Sequence, residues 1–305
     1  AGKIRIGSED MEYTGNNTGT NTLSGITRGL NSTTPVEHAN GSTVTDITDY
    51  IGWGDASTSS TVTIDPGNWS LDNFGNILIA TVHNGETFTW DAAASNALQT
   101  RATIGTGMPT ASVMTIVSDR DRHLFHLGTE TTIGTASTQN KMFIRFSDQE
   151  STSVYDPTST NTAGTFQLDD GTEIVGAFKG KDYILVLTDT AVYEMQFVGP
   201  PFTFSIRKVA SNAGLLGQHA GVFANGAVFW MGKTGGFYVY DGTVKSLPCL
   251  VEDFVFTTNG NNLGINYDSG KIVYGGINEL YSEINWFYPT ATSTKIDRVA
   301  TYNYA

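Results

Sequence analysis

A strand–turn–strand pattern recurs along most of this chain and restricts its fold more than any other feature of the sequence. The clearest copy, AVFWMGKTGGFYVYDG, predicts strands over Ala227–Met231 and Gly236–Tyr240. Aromatic and β-branched residues fill both strands, and glycines stand where the backbone must reverse. Further copies are predicted at Ile77–Ala92, at Arg122–Gly128 with Lys141–Asp148, at Tyr183–Val198, and at Lys271–Pro289 with its turn at Gly275-Gly276.

The spacing of these hairpins indicates a repeat architecture. The equivalent positions, taken as Leu78, Leu124, Ile184, Val228 and Ile272, are separated by 46, 60, 44 and 44 residues. A period in the forties made of strand hairpins is typical of β-propeller blades, each a four-stranded antiparallel sheet. Five hairpins and a lone final strand, Arg298–Tyr304, predict about six blades, the last one incomplete in this chain.

Composition agrees with an all-β fold. The 305 residues include 34 glycines, only 15% are charged, and no window has the i, i+3, i+4, i+7 periodicity of an amphipathic helix. No apolar run approaches the roughly 20 residues that cross a bilayer, so no membrane span is predicted. Cys249 is the only cysteine, which excludes an intrachain disulfide, and its apolar neighbours predict a buried structural thiol.

Three segments are predicted along the chain. Residues 1–50 form a small β module, with strand candidates at Lys3–Ile6, Glu12–Tyr13, Leu23–Ile26 and Thr43–Val44. Residues 51–60 form a Gly/Ser/Thr linker, and residues 61–305 form the propeller, which begins with a strand over Thr61–Ile64.

The first segment contains a spaced set of glycine, polar and aromatic residues: Gly7, Glu9, Tyr13, Gly25, Thr27, Arg28, Gly29, His38 and Gly41. In this pattern the segment resembles a short β module found in many phage tail and virion proteins. Glu9, Arg28 and His38 could form a hydrolytic trio, but a surface ion pair and a turn histidine are favoured.

The propeller segment contains an ordered series of motifs, among them WSLDNFGNILIA, RHLFHLG, NTAGTFQLDDGTEIVGAF, ILVLTDTAVYEMQFVGPP, SLPCLVEDFVF, EINWFYP and DRVATYNYA. In this order the motifs resemble tail hub or nozzle proteins of short-tailed double-stranded-DNA phages, a family that includes packaged-DNA stabilisation proteins. Family members usually carry more chain at both ends, so we expect these residues to be a fragment of a longer protein.

The resemblance implies a structural virion protein that is not an enzyme. It implies a homo-hexameric ring in the phage tail, assembled in the host cytoplasm, with portal or adaptor and tail fibre or needle proteins as partners. Genomic DNA would pass through the lumen without specific binding and be retained and then released. The net charge of −13 agrees with this expectation, because a basic face suited to holding nucleic acid is not expected. Acidic loops around Asp169-Asp170 or Glu252-Asp253 are candidates for the lumen.

No catalytic, cofactor or metal residues are predicted from the motifs. His123 and His126 are three apart in a strand, so they should point to opposite faces and cannot share a metal; one is expected packed and one exposed. The acids Asp119, Asp121, Asp169 and Asp170 are predicted to cap turns.

The aromatic residues at hairpin ends predict packing between blades rather than a ligand-stacking ring. They are Trp90, Tyr193, Trp230, Tyr240 and Trp286. Two other functions stay open from the sequence, a carbohydrate-active enzyme on a propeller and a receptor-binding module. The enzyme would require acidic residues that converge beside exposed aromatic residues.

Overall fold

The computed structural model describes residues 1–48, 68–95, 97, 100–260 and 262–305. The predicted linker over residues 51–60 and the predicted strand at Thr61–Ile64 lie outside the described residues. The chain divides into two compact units, one of Ala1–Thr63 with Trp90–Ala102 and one of Ile64–Thr89 with Thr103–Ala305.

The N-terminal unit contains the small β subdomain that the sequence predicts. Its strands are β1 Gly2–Ile6, β2 Glu9–Tyr13, β3 Gly15–Asn17, β4 Thr22–Ser24, β5 Thr27–Leu30 and β6 Val44–Asp46. Four of them form an antiparallel sheet in the order β5-β2-β1-β6, and β3 pairs with β4. Ile4 lies opposite Met11 on neighbouring strands, and both side chains are buried. β3 and β5 were not predicted, because Asn, Gly and Arg dominate them and have low strand propensity.

The second unit contains five sheets in its described part, each a meander in which successive strands pair in antiparallel fashion. Sheet 1 has β7 Trp69–Phe74, β8 Ile77–Val82, β9 Thr87–Asp91 and β10 Thr103–Ile104. Sheet 2 has β11 Met114–Ser118, β12 His123–Leu127, β13 Phe143–Phe146 and β14 Gly164–Gln167. Sheet 3 has β15 Ile174–Lys179, β16 Ile184–Thr188, β17 Ala191–Gly199 and β18 Thr203–Ser211.

Sheets 4 and 5 complete the unit. Sheet 4 has β19 Gly221–Ala224, β20 Ala227–Met231, β21 Phe237–Tyr240 and β22 Val244–Ser246. Sheet 5 has three strands, β23 Tyr274–Asn278, β24 Glu283–Tyr288 and β25 Arg298–Asn303. A short helix, α1 Glu252–Phe256, and single 3₁₀ turns at Ala136–Thr138, Tyr267–Ile272 and Glu279–Tyr281 connect the strands.

The five sheets form a β-propeller, as predicted. The first strands of successive sheets lie against one another in the order β7, β11, β15, β19, β23. The apolar core lies in layers between sheets: Phe74 and Leu124 between sheets 1 and 2, and Phe125 and Met195 between sheets 2 and 3. A third layer, which includes Trp286, joins sheets 3, 4 and 5. Stacked sheets that bury both faces in this way are the propeller arrangement.

Two hydrogen bonds join sheet 1 to the segments that precede sheets 4 and 5. The His219 Nε2–H, in the loop before β19, donates to the carbonyl of Trp69 at 3.1 Å. The side-chain amide of Asn68 donates to the carbonyl of Lys271, before β23, at 3.0 Å. Contacts between residues this far apart in sequence connect the first sheet of the repeat to its last two.

The end of the chain differs from the prediction. The strand predicted to begin a sixth blade, Arg298–Tyr304, pairs with β24 as the third strand of sheet 5. Ile272 lies in a 3₁₀ turn, and Gly275-Gly276 lies inside β23 instead of reversing the chain. The hairpin reverses at Glu279–Tyr281.

The physical role of Gly275 explains that error. A Cβ atom at Gly275 would lie 3.1 Å from the carbonyl oxygen and 3.4 Å from the nitrogen of Gly221. β23 therefore approaches β19 backbone to backbone, and glycine serves this close contact rather than a turn.

We expect Gly275→Ala to destabilise the propeller, because the added methyl group presses on the backbone of Gly221. The expected loss is about 1–3 kcal/mol, the usual range for overpacking, measured by urea unfolding. Gly276→Ala is the matched control, since the nearest atoms to its added Cβ are at 3.6 and 3.9 Å. Equal midpoints for the two variants would contradict the close approach of β19 and β23.

Candidate functional site

The densest set of chemistry-bearing side chains in the N-terminal unit surrounds Glu9. This side chain is fully buried. Arg28 donates to its two oxygens from Nε at 2.9 Å and from Nη2 at 2.5 Å. The Val36 N–H donates at 2.9 Å and the Gly29 N–H at 3.3 Å, and His38 Nε2 lies 2.8 Å from Oε2. The sequence named Glu9, Arg28 and His38 as a possible trio, and the structure brings them together.

These contacts fix the charge of Glu9. The Arg28 guanidinium, with the Val36 N–H and His38, lowers the pKa of Glu9 from 4.5 to about 2 against the opposing effect of desolvation. The same ion pair raises the pKa of Arg28. Both oxygens of Glu9 already accept several hydrogen bonds, so the carboxylate is placed to hold β2, β5 and the segment up to His38 together.

Two neighbouring features support this structural role. Gly29 has φ +69° and a Cβ there would lie 3.0 Å from the carbonyl of Thr33, so a glycine lets its N–H reach Glu9. Asp10, on the opposite face of β2, is also buried, and Arg5 donates to it from Nε at 2.6 Å and from Nη2 at 2.9 Å. The ion pair with Arg5 lowers the pKa of Asp10. The prediction of a surface ion pair was wrong for the acid, because Glu9 is buried.

His123 and His126 lie on opposite faces of β12, as predicted, but both are buried. His123 packs edge-on against Phe204 of sheet 3, with ring centroids 5.0 Å apart, while its Nε2 contacts the Thr162 hydroxyl at 3.0 Å. The expected exposure of one histidine was wrong because sheets 1 and 3 cover both faces of sheet 2. Burial lowers the pKa of His123.

His126 belongs to a buried polar network. Its Nδ1 lies 2.9 Å from the Ser112 hydroxyl, and its Nε2 lies 3.1 Å from the Tyr155 hydroxyl. The Ser112 hydroxyl also contacts that of Thr129 at 2.9 Å. Burial, and then the nearby Arg145, lower the pKa of His126 to about 3, so the imidazole is neutral. Ser112 and His126 are both fully buried, and this geometry satisfies polar groups inside the fold.

A second cluster joins the first strands of three sheets. The Lys179 ammonium of sheet 3 lies 2.8 Å from Asp72 of sheet 1 and 2.9 Å from Asp119, which follows β11. Asp72 also accepts the Val117 N–H at 2.7 Å. A small cavity of about 90 Å³ lies beside this cluster, with Asp119, Lys179 and Phe197 among its lining residues.

The acids that were predicted to cap backbone amides in turns contact side chains instead, so this prediction was wrong. Asp119 pairs with Lys179, and Asp121 accepts the Ser118 hydroxyl at 3.3 Å. Asp169 accepts the Tyr193 hydroxyl at 2.6 Å. Asp170 accepts hydrogen bonds from Ser211 at 2.8 Å and from Lys208 at 3.1 Å, and these contacts lower its pKa. Asp170 is therefore already paired with a lysine. Glu252 and Asp253, which were expected in a loop, form the first turn of helix α1, and Asp253 is exposed.

The aromatic residues at hairpin ends are used as packing. Four of the five predicted residues, Tyr193, Trp230, Tyr240 and Trp286, are at most 4% exposed. The indole N–H of Trp230 donates to the carbonyl of Ala213 at 2.9 Å, so its one polar group is satisfied. Cys249 is half-buried rather than buried.

Within the described residues, no group of three His, Cys, Asp or Glu side chains is arranged to hold a metal ion. Nor does any helix in that part of the chain have the length and apolar character to cross a membrane.

The pKa of Glu9 makes the stability of the N-terminal unit depend on pH. Because its pKa is depressed in the fold, its stabilising contribution is fully present above its ordinary pKa of 4.5 and is lost as the pH falls toward about 2. A carboxyl-carbon NMR titration should therefore give a pKa of about 2 for Glu9, and Arg28→Gln should move it upward. An unshifted value in the native chain would contradict the buried ion pair.

Comparisons with known proteins found structural similarity only. No family model matches the chain, and no curated protein matches it. Hsv2 of Kluyvelomyces marxianus has a TM-score of 0.39 at 8% identity over 76% of this chain and 60% of its own. AztD of Citrobacter koseri has 0.39 at 10%, over 77% and 58%. BamB of Moraxella catarrhalis has 0.38 at 9%, over 77% and 61%. The chain thus spans about 60% of the length of Hsv2, and similarity this low says nothing of function.

Proposed function

We propose that this chain is a structural subunit of a phage tail hub or nozzle. In this proposal six copies form a ring around the channel through which the genome leaves, and the ring helps to retain and then release the DNA. The observation that carries the proposal is the ordered series of motifs over Trp69–Ala305 that resembles this family. Portal or adaptor proteins and tail fibre or needle proteins are the proposed partners, the virion is the proposed location, and assembly takes place in the host cytoplasm.

The contacts of the motif residues support a mechanical role. Glu9, Arg28 and His38 are joined in one hydrogen-bonded cluster. Within RHLFHLG, both histidines are buried between sheets. These acidic, basic and histidine side chains therefore stabilise the fold through their contacts. Such contacts suit a subunit with a mechanical role.

The charge of the chain supports passage of DNA without retention. Thirty acids against 17 bases give a net charge of −13. A basic lumen would release counterions on binding phosphates and would hold DNA with a steep salt dependence. An acidic wall repels the phosphates over about 8 Å at physiological salt, so the effect matters where the passage is narrow.

The alternative of a carbohydrate-active enzyme has less support. It needs two free carboxylates near exposed aromatic rings. Asp72 and Asp119 lie on either side of Lys179, whose ammonium contacts both acids, so neither carboxylate of this pair is free.

Imaging of the full-length protein tests the proposal. We expect negative-stain images and native mass spectra to show rings of six copies around a channel, formed alone or on addition of a ring-shaped portal or adaptor. A chain that stays monomeric at all concentrations and joins no such ring would contradict the proposal.

A further inference from the structure

The cavity beside Lys179 lies between sheets 2 and 3 and has a volume of about 90 Å³. Its walls come from the turns after β11 and β15, residues 118–121 and 180–183, and from β17 and β18. The exposed lining residues are charged: Asp119, Arg120, Lys181 and Asp182. The buried lining residues are mostly apolar: Val117, Ile184, Met195 and Phe204. The cavity therefore leads from a charged surface into the apolar layer between two blades.

Asp121 brings a buried charge to the lining of this cavity. Its residue surface is only 8% exposed. Two contacts of its carboxylate are long: the Ser118 hydroxyl donates to it at 3.3 Å, and the Arg120 Nε lies 3.9 Å away. A buried carboxylate is costly unless it is closely paired and hydrogen-bonded. Asp121 is therefore suited to a further cationic partner.

The pairing of the bases in the lining favours a cationic ligand over an anionic one. The Lys179 ammonium lies 2.8 Å from Asp72 and 2.9 Å from Asp119. A second base, Arg120, lies 3.2 Å from Asp182. An anion would compete with these acids for their bases and would lie near the buried carboxylate of Asp121. A cation would meet that carboxylate without breaking either ion pair.

The apolar part of the lining fits a short alkyl chain. Ile184 and Met195 supply aliphatic and thioether surface. The rings of Phe197 and Phe204 pack edge to face, with centroids 5.4 Å apart, and aromatic rings attract ammonium groups as well as alkyl chains. Since a cavity of about 150 Å³ holds benzene, a cavity of about 90 Å³ holds roughly four carbon atoms.

We propose that this cavity binds an alkylammonium group. The alkyl chain, about four carbons long, lies among the buried apolar residues, and the ammonium pairs with the carboxylate of Asp121. This chemical group occurs in free short-chain amines and at the end of a lysine side chain. The inference does not depend on the proposed function.

Titration of the native chain with butylammonium chloride tests the site, followed by NMR of the methyl groups of Ile184 and Met195. We expect both signals to shift with saturation at a Kd in about the millimolar range, because the ligand has few non-hydrogen atoms. 1-Butanol has the same size and no charge, and it should bind at least about tenfold more weakly. Butyrate carries the opposite charge and should leave both signals unchanged.

A pair of variants tests the role assigned to Asp121. Asp121→Asn keeps the shape of the side chain and removes its charge, so it should weaken butylammonium at least about tenfold and leave the affinity for 1-butanol unchanged. Asp268→Asn is the matched control, because Asp268 is exposed and does not line the cavity. This control should bind butylammonium like the native chain. If Asp121→Asn does not fold, the comparison of butylammonium with 1-butanol on the native chain still decides the question.

A lysine residue capped at both ends separates the two sources of the alkylammonium group. Binding of capped lysine assigns the site to a lysine side chain of a protein partner, and binding of butylammonium alone assigns it to a free amine; both results support the proposal. Capped lysine that is acetylated on its side chain is uncharged and should not bind. Equal affinity for 1-butanol and butylammonium, native affinity for butylammonium in Asp121→Asn, or unchanged methyl signals of Ile184 and Met195 would overturn the proposal.

Discussion

Burial of both faces of each central sheet is the constraint on which the propeller depends. Every residue of β12, β16 and β20 is buried. Because neighbouring residues of a strand point to opposite faces, a strand buried at every position must have protein on both sides. No such sheet can be stable alone, and each blade supplies the cover for the next.

Burial on both faces also determines what polar residues do in this fold. His126 lies inside a central strand, where desolvation disfavours its charge and hydroxyl groups satisfy both ring nitrogens. Lys179 reaches across the first strands of three sheets to Asp72 and Asp119. In the N-terminal unit, the carboxylate of Glu9 is held in the same manner by Arg28. These side chains could carry chemistry in an open cleft, but here their contacts are inside the fold, which agrees with the proposed mechanical role.

The sequence predicted what depends on local pattern. The hairpin around Ala227–Gly242 follows from alternation and turn glycines, and its strands lie within one residue of the prediction. Gly275 was predicted in a turn but lies inside β23. A glycine that is required by a close contact with Gly221 cannot be distinguished in a sequence from a glycine that is required by a turn. Sheet 3 covers the face of β12 that carries His123. No local sequence pattern shows that a neighbouring sheet packs on that face.

Contacts between distant segments were beyond sequence reasoning. Lys179 is 107 residues from Asp72 and 60 from Asp119, so no spacing rule joins them. The contact of Glu9 with Arg28 and His38 was found because the resemblance to the virion module named all three residues. The burial of Glu9 could not be predicted, since the alternation of β2 does not show that both its faces are covered.

Native-state hydrogen exchange in β12, β16 and β20 tests most directly whether the sheets depend on one another. If each sheet is stable only against its neighbours, the slowest amides of these three strands should share one opening free energy and one dependence on denaturant. Separate opening free energies for the three sheets, with separate denaturant dependences, would contradict the account.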